Sequence, residues 1–277
     1  MIILYTDIRK KVIAIRFDHI RIVQGNIGNG ITEPKLAMTD DNTPVIVKTF
    51  NGPEGPLVLF NEYICYRLAI LLDIPMPASG ICLIDHNTTI YNNCMSSEQF
   101  GYGFYSTYLN KSVTLVDTII PMLKNKEDFF KILLFDHMIF NTDRNSGNLL
   151  VQYYKNNISL QVIDHSHVFI NQAIWDAGCL KRGIADKDYF STQILDANNY
   201  LYSMFFHNMY VTEKCFEELN AEFRNKITEK VIRNILLDVP EEWMPISRDI
   251  DALIEYILYR VEHLNDICAT IMNYLKK

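Results

Sequence analysis

Between Phe135 and Leu150 the chain reads FDHMIFNTDRNSGNLL, in which an apolar run stops at Asn141 and resumes at Leu149. Asp143 and Asn148 stand five residues apart within the polar break, and a further carboxylate, Asp164, follows in VIDHSHVF, Val162 to Phe169. The intervening segments NLLVQYY and ISLQVID flank the turn KNN and read as a β-hairpin. Antiparallel strands return the chain to the edge it left, so Asp164 is expected beside Asn148. A carboxylate near an acceptor hydroxyl orients it and takes its proton. An Asn amide oxygen and a second Asp offer hard oxygen ligands to Mg²⁺ held against nucleotide phosphates. The grouping suits phosphoryl transfer. A DxxxxN spacing also recurs by chance, and a solvated loop with helix-capping Asn and Asp accounts for it as well.

Three upstream features add to the signal. Lys48 lies within the apolar strand pattern VIVKTF, where an uncompensated ammonium is costly. Nucleotide phosphates and a helix carboxylate, supplied by Glu62 in the helical segment that follows, would compensate it. The turn GNIGNG, Gly25 to Gly30, could lay backbone N–H groups over phosphates, with Gly28 and Gly30 as its turn residues. A Gly-rich turn, a strand Lys, a helix Glu, DxxxxN and a later Asp follow one another in the order of the protein-kinase machinery. Here the last motif is Asp164-His165-Ser166, without Phe-Gly. Two other readings stand beside this one. His165 and His167 could ligate zinc or iron with Asp164, and Lys48 could be an edge-strand lysine pointing to water.

The elements that must position these residues fall into two halves. The first hundred residues are β-rich: KVIAIRFDHIRIVQ (Lys11 to Gln24), KLAM (Lys35 to Met38) and VIVKTF (Val45 to Phe50) read as strands, the last with an inward Lys48. Leu57, Phe60, Ile64, Leu68 and Leu71 predict a helix over Pro56 to Ile74, stopped by Pro75 and Pro77. Short strands GICLID and TTIYNN follow, and SSEQFGYGFYSTYLN, Ser96 to Asn110, reads as a linker between lobes. Beyond it KEDFFKILLFDHMIF, Lys126 to Phe140, is apolar nearly all round and predicts a helix buried in a core. Helical patterning returns over Glu213 to Val239. Leu253, Ile257, Val261, Leu264, Ile267 and Ile271 mark one face of a single long helix over Ile250 to Leu275.

Composition narrows the classes. The 277 residues are 49% hydrophobic and 21% charged, a globular balance, and the net charge of −7 argues against a nucleic-acid backbone as direct partner. Six scattered cysteines without a CxxC pair read as reduced intracellular thiols. MIILYTDIRKK lacks a secretory pattern and no apolar run reaches the roughly 20 residues that span a bilayer, so a cytoplasmic protein is expected.

At this point the chain resembles the HipA-like kinases, a bacterial branch of the protein-kinase-like superfamily distantly similar to phosphatidylinositol 3- and 4-kinases. FDHMIFNTDRNSGNLLV resembles the family's catalytic segment, NGITEPKLAM (Asn29 to Met38) its phosphate loop and VIVK its lysine strand. NEYICYRLAILLDIPMP is similar to its first helix, and VPEEW with the last helix to its compact kinase-domain members. The resemblance implies an α+β, two-lobed protein-kinase-like fold. The β-rich N-lobe would comprise residues 1–103 and the mainly helical C-lobe residues 104–277, with ATP between them. It implies Asp143 as catalytic base with Arg144 steadying the loop, and Asn148 and Asp164 as Mg²⁺ ligands. Lys48, with Glu62 as partner, and Gly28, Gly30 and Lys35 of the phosphate loop would bind ATP. Asn145 stands where many relatives carry His. The phosphate-loop serine that is phosphorylated in the family has no counterpart, Asn29 being nearest to its place. The implied activity is transfer of the ATP γ-phosphate to a protein Ser or Thr hydroxyl. Some members are toxins neutralised by partners, so an antitoxin-type protein partner belongs to the expectation, without a fused DNA-binding antitoxin-like segment. A nucleotide-binding pseudokinase or regulatory module, and a lipid or small-molecule kinase, are the alternatives.

Overall fold

The structure is a computed structural model that describes residues 17–28, 30–155 and 157–276. Residues 11–16 of the first expected strand, and Asn29, lie outside the described residues. Two compact units emerge, one within Met1–Pro53 and Gly80–Thr107, the other within Glu54–Ser79 and Tyr108–Lys277.

The first unit is built on β1 (Asp18–Asn26), β2 (Lys35–Thr39), β3 (Pro44–Lys48), β4 (Ser79–Ile84), β5 (Thr89–Ile90) and β6 (Gly101–Thr107). Their order is β2-β3-β6-β4-β1-β5, and a further β1–β2 pairing joins β1, β2, β3, β6 and β4 into a closed circuit. Alternation places Ile20, Val23, Ala37, Val45, Val47, Cys82 and Ile84 in one core cluster. Lys48 therefore shares the opposite, half-exposed face of β3 with Ile46, so the strand does not turn its lysine inward with the valines.

The linker expected over Ser96–Asn110 gives way to a strand. β6 pairs antiparallel with β3 from Val45↔Thr107 to Lys48↔Phe104. Its glycines serve close approach rather than flexibility: a Cβ on Gly103 would lie 2.8 Å from the Lys48 carbonyl oxygen.

The second unit opens with α1 (Leu57–Leu71). Asp73 ends this helix ahead of the two prolines. It takes a left-handed φ of 54°, while the Ile74 N–H donates to Ala69 O and the Asp73 N–H to Ile70 O, the paired bonds of a Schellman stop. A small sheet holds β7 (Ser112–Thr114), β8 (Leu149–Tyr154) and β9 (Asn157–Val162) in that order.

Helices make up the remainder: α2 (Asp128–Met138), α3 (Ala177–Ala185), α4 (Gln193–Ala197), α5 (Asn199–Asn208), α6 (Lys214–Lys226), α7 (Glu229–Leu236), α8 (Ser247–Glu262) and α9 (Leu264–Tyr274). α2 is buried from Phe129 to Met138 except at Lys131, as its apolar circumference predicts. Phe129 stacks on Phe205 of α5, centroids 4.0 Å apart. Thr228 separates α6 from α7, its hydroxyl accepting the Val231 N–H.

The single long C-terminal helix expected over Ile250–Leu275 is broken at His263 into α8 and α9. The His263 ring stacks on Tyr189 at 3.9 Å and its Nδ1 meets Asp266 Oδ2 at 2.8 Å, so local polar and aromatic contacts hold the break. Arg260 of α8 is fully buried. Its Nη1 donates to Asp188 Oδ1 (2.7 Å), and its Nε and Nη2 donate to the His137 carbonyl at the end of α2 (2.9 and 2.6 Å).

Candidate active site

The site begins where α2 stops. Phe140 adopts a left-handed φ of 51°. The Asn141 N–H donates back to Asp136 O at 2.7 Å and the Phe140 N–H to His137 O at 3.3 Å, closing the helix and releasing the polar break. Side chains then shape the loop. Asn141 Oδ1 accepts the Asp143 N–H (2.9 Å), Asn145 Oδ1 accepts the Gly147 N–H (2.9 Å), and Asn148 Nδ2 donates to the Asp143 carbonyl (2.8 Å). Asn residues suit such a segment because their short amides replace backbone partners in turns.

Beneath the loop lies a buried charge pair. The Arg144 guanidinium meets Asp136 through Nε (3.1 Å to Oδ2) and Nη2 (2.9 Å to Oδ1), both side chains fully buried. Tyr202 hydroxyl and Asn141 Nδ2 also donate to that carboxylate, each at 2.9 Å. The remaining Arg144 donors reach outward, Nη1 to Ile163 O (2.9 Å) and Asn148 O (3.3 Å), and Nη2 to His165 Nε2 (2.8 Å). Arg144 thus ties α2, the loop and both ends of the β8–β9 hairpin. Burial alone would lower its pKa, but Asp136 more than offsets that and keeps the guanidinium charged.

That hairpin pairs Leu149 with Val162, and the Ile163 N–H donates to Asn148 O at 3.1 Å, which returns Asp164 to the loop. Asp164 holds a left-handed φ of 60°, and its Oδ1 faces the Ser166 hydroxyl at 2.9 Å. Glu62 of α1, 2% exposed, accepts the His165 N–H and the Ser166 hydroxyl, each at 3.0 Å. Its neighbour Asn61 donates to Ser166 O (2.8 Å). Glu62 thus grips the segment that carries Asp164. His165 turns into the core beside Arg144, whereas His167 meets Glu54, so the two histidines do not share one ligand.

Asp143 is half-exposed. Burial, and next the Asp164 carboxylate, raise its pKa above the ordinary aspartate value, opposed by His167, Asn145 and Arg144. Two carboxylates close enough to repel are a natural seat for a cation. Asn148 commits its amide nitrogen to Asp143 O, which turns Oδ1 the other way, so the donors on offer are hard oxygens that fit Mg²⁺.

The remaining candidates lie in the first unit. Gly28, with φ of 65°, and Gly30 are exposed in the β1–β2 connection, and a Cβ at Gly28 would meet nothing within 4 Å. Lys35 is fully buried at the start of β2, its Nζ donating to Asn26 Oδ1 (2.8 Å) with Glu33 at 3.9 Å. Lys48 closes β3.

Asp136, Glu54 and the Asp143-facing edge of His167 escaped the sequence reading. A lone Asp inside so apolar a helix was the signal for Asp136, since a buried carboxylate demands a cationic partner.

The family model for HipA-like kinases matches residues 20–270. The chain belongs to that family. HipA-like kinases are phosphotransferases, and the kinase class implies ATP and a divalent metal. Among solved structures, a proinflammatory kinase of Helicobacter pylori, CtkA, is similar at TM-score 0.58 and 12% identity, covering 94% of this chain and 99% of that one. The Golgi casein kinase with Mn/ADP bound is similar at TM-score 0.54 and 10% identity, covering 91% and 74%. These likenesses show the fold, a two-lobed kinase-like one with a sheet-rich N-terminal part and a helical C-terminal part. No curated protein matches the chain. Among the described residues no helix is long and apolar enough to cross a membrane.

Proposed function

We propose that this HipA-like kinase is an ATP- and Mg²⁺-dependent protein kinase that transfers the γ-phosphate to a Ser or Thr hydroxyl. The carrying observation is the convergence of Asp143, Asn148 and Asp164 at one end of the β8–β9 hairpin, with Asp143 made more basic than an ordinary aspartate. In this reading Asp143 orients the acceptor hydroxyl and takes its proton. Asn148 and Asp164 would hold Mg²⁺, which would supply charge neutralisation to the nucleotide phosphates. Arg144 holds the loop in place, and Glu62 fixes the backbone that presents Asp164. Lys48, the N–H groups around Gly28 and Gly30, and Lys35 with its loop serve the nucleotide phosphates. A protein acceptor, a toxin-type role and restraint by an antitoxin-type partner rest on the family resemblance.

The test is transfer from labelled ATP, to the protein itself or to a lysate, comparing wild type with Asp143→Ala. Loss of the base lowers turnover about 10²- to 10⁴-fold. Thermal stabilisation by ATP with Mg²⁺, absent with chelator, persists in the variant and amounts to about 2.7 kcal/mol at a hundred times the dissociation constant. Stabilisation without any transfer in wild type would make the protein a nucleotide-binding module instead. Labelled small molecules or lipids, in place of labelled protein, would move the acceptor class.

A further inference from the structure

His167 lies three residues beyond Asp164 and directs its two ring nitrogens at two carboxylates. Nε2 lies 2.9 Å from Glu54 Oε1, and Nδ1 lies 3.7 Å from Asp143 Oδ2. The ring and Glu54 are about equally shielded, at 19% and 20% exposure, whereas the Asp143 side chain is 43% exposed. The shielded pair thus stands behind a carboxylate that is open on another side.

Glu54 is itself held stiffly. It follows Pro53 and precedes Gly55 and Pro56, with Gly55 at φ 77°, so ring-locked residues flank the carboxylate. Its second oxygen, Oε2, is buried without a hydrogen-bond partner. A carboxylate kept there against that cost has its other oxygen committed to His167. Donation of Nε2–H to Glu54 fixes the plane of the ring, and so fixes where Nδ1 sits.

We infer that Glu54 and His167 form a positioning pair for the proposed base: Glu54 sets the imidazole, and the imidazole edge restricts rotation of the Asp143 carboxylate. The inference rests on the reading of Asp143 given above. Neither residue is a catalytic residue here; each acts through Asp143. A base free to rotate reaches the acceptor proton in fewer of its orientations, and misplacements of about 1 Å cost up to about 10²-fold in rate.

The experiment measures Mg-ATP turnover, with the protein or water as acceptor, in the full chain. His167→Ala is expected to lower kcat about 10- to 100-fold with KM for ATP unchanged. His167→Asn, whose amide nitrogen falls near the Nδ1 place, recovers more of kcat than His167→Gln, whose amide falls near Nε2. Glu54→Ala resembles His167→Ala, and the double variant is no slower than the slower single one, as expected of residues acting in series. Equal loss in all His167 variants, multiplicative losses in the double variant, or an effect on KM alone would overturn the pair. Circular dichroism melting accompanies each variant, and Glu54→Gln, which keeps volume and an acceptor oxygen, reports on the pair should His167→Ala fail to fold. Asp143→Ala separates the two ideas: if it abolishes turnover while the His167 and Glu54 variants turn over at the wild-type rate, the pair falls and the base stands. If Asp143→Ala is harmless, or wild type turns nothing over, both fall.

Discussion

Two buried arginines, Arg144 and Arg260, use the same device to different ends. Each guanidinium is fully buried against an aspartate, Asp136 or Asp188, whose Oδ2 also takes a tyrosine hydroxyl, from Tyr202 or Tyr256. Each also seizes the last turn of α2, Arg144 through the Asp136 carboxylate and Arg260 through the His137 carbonyl. The difference lies in the donors left over. Those of Arg260 stay on the helix end, while its guanidinium carbon lies 5.3 Å from the Phe140 ring centroid. Those of Arg144 go to Asn148 O, Ile163 O and His165, at the two ends of the β8–β9 hairpin. A stabilising pair becomes part of a site when its spare hydrogen bonds are spent on the loop that carries the chemistry.

The largest expected effect separates these two roles. Removing either arginine alone strands a buried carboxylate and lowers stability by about 3–5 kcal/mol, read from denaturant midpoints. Replacing both partners by apolar residues returns most of that stability at either place. Arg260→Met with Asp188→Leu should then keep phosphoryl transfer within a few-fold of wild type, because apolar side chains of similar volume refill the buried space. Arg144→Met with Asp136→Leu should fold yet turn over about 100-fold more slowly, because the loop carbonyls have lost their anchor. Equal turnover in the two doubles would erase the distinction.

A smaller effect concerns the α2 end that Arg260 holds. Burial, and secondarily the Arg260 charge, push the His137 pKa down to about 3 from 6.5, and its Nε2 is buried without a partner. The folded state thus resists a proton that the unfolded chain accepts below 6.5. Stability contributed by the neutral ring is full above that pH and falls towards 3, by about 1.4 kcal/mol per pH unit. His137→Met should flatten the stability curve between pH 6 and 4 by about one proton. An unchanged slope would mean that the ring is charged or solvated there.

The smallest effect lies in the sheet unit, where charge pairs meet water. Burial would lower the His19 pKa, but hydrogen bonds to Asp40 and Asp85 prevail and raise it. A raised pKa stabilises the fold fully below 6.5 and loses that contribution as pH climbs through the folded value. His19→Asn should therefore cost less than about 1 kcal/mol at pH 6 and still less at pH 8. A larger cost at pH 8 would reverse the assignment.

Much of this was legible from periodicity. Valine alternation marks β3, the all-round apolar run marks α2, and Asp143, Asn148 and Asp164 stand out because polar residues interrupt greasy ones around a hairpin. What stayed hidden depends on contacts distant in sequence. Glycines in β6 suggested flexibility because nothing local reveals that Gly103 must clear the Lys48 carbonyl. An unbroken heptad-like face across Ile250–Leu275 conceals the break at His263, whose stacking partner Tyr189 lies 74 positions earlier (263 − 189). The grip of Glu62 on the His165 N–H and the Ser166 hydroxyl also stayed hidden, because those partners lie 103 and 104 positions away.

The left-handed backbone at Asp164, φ 60°, narrows which residues this position can explore. Side chains that enter that region readily are few, chiefly Gly, Asn and Asp. Glu, the nearest relative in charge, is disfavoured by conformation before its chemistry is ever tried. Gly suits the backbone without offering an oxygen, and Asn offers an oxygen without the charge. At this position the fold admits a single anionic residue comfortably, so drift here runs towards losing the carboxylate rather than exchanging it.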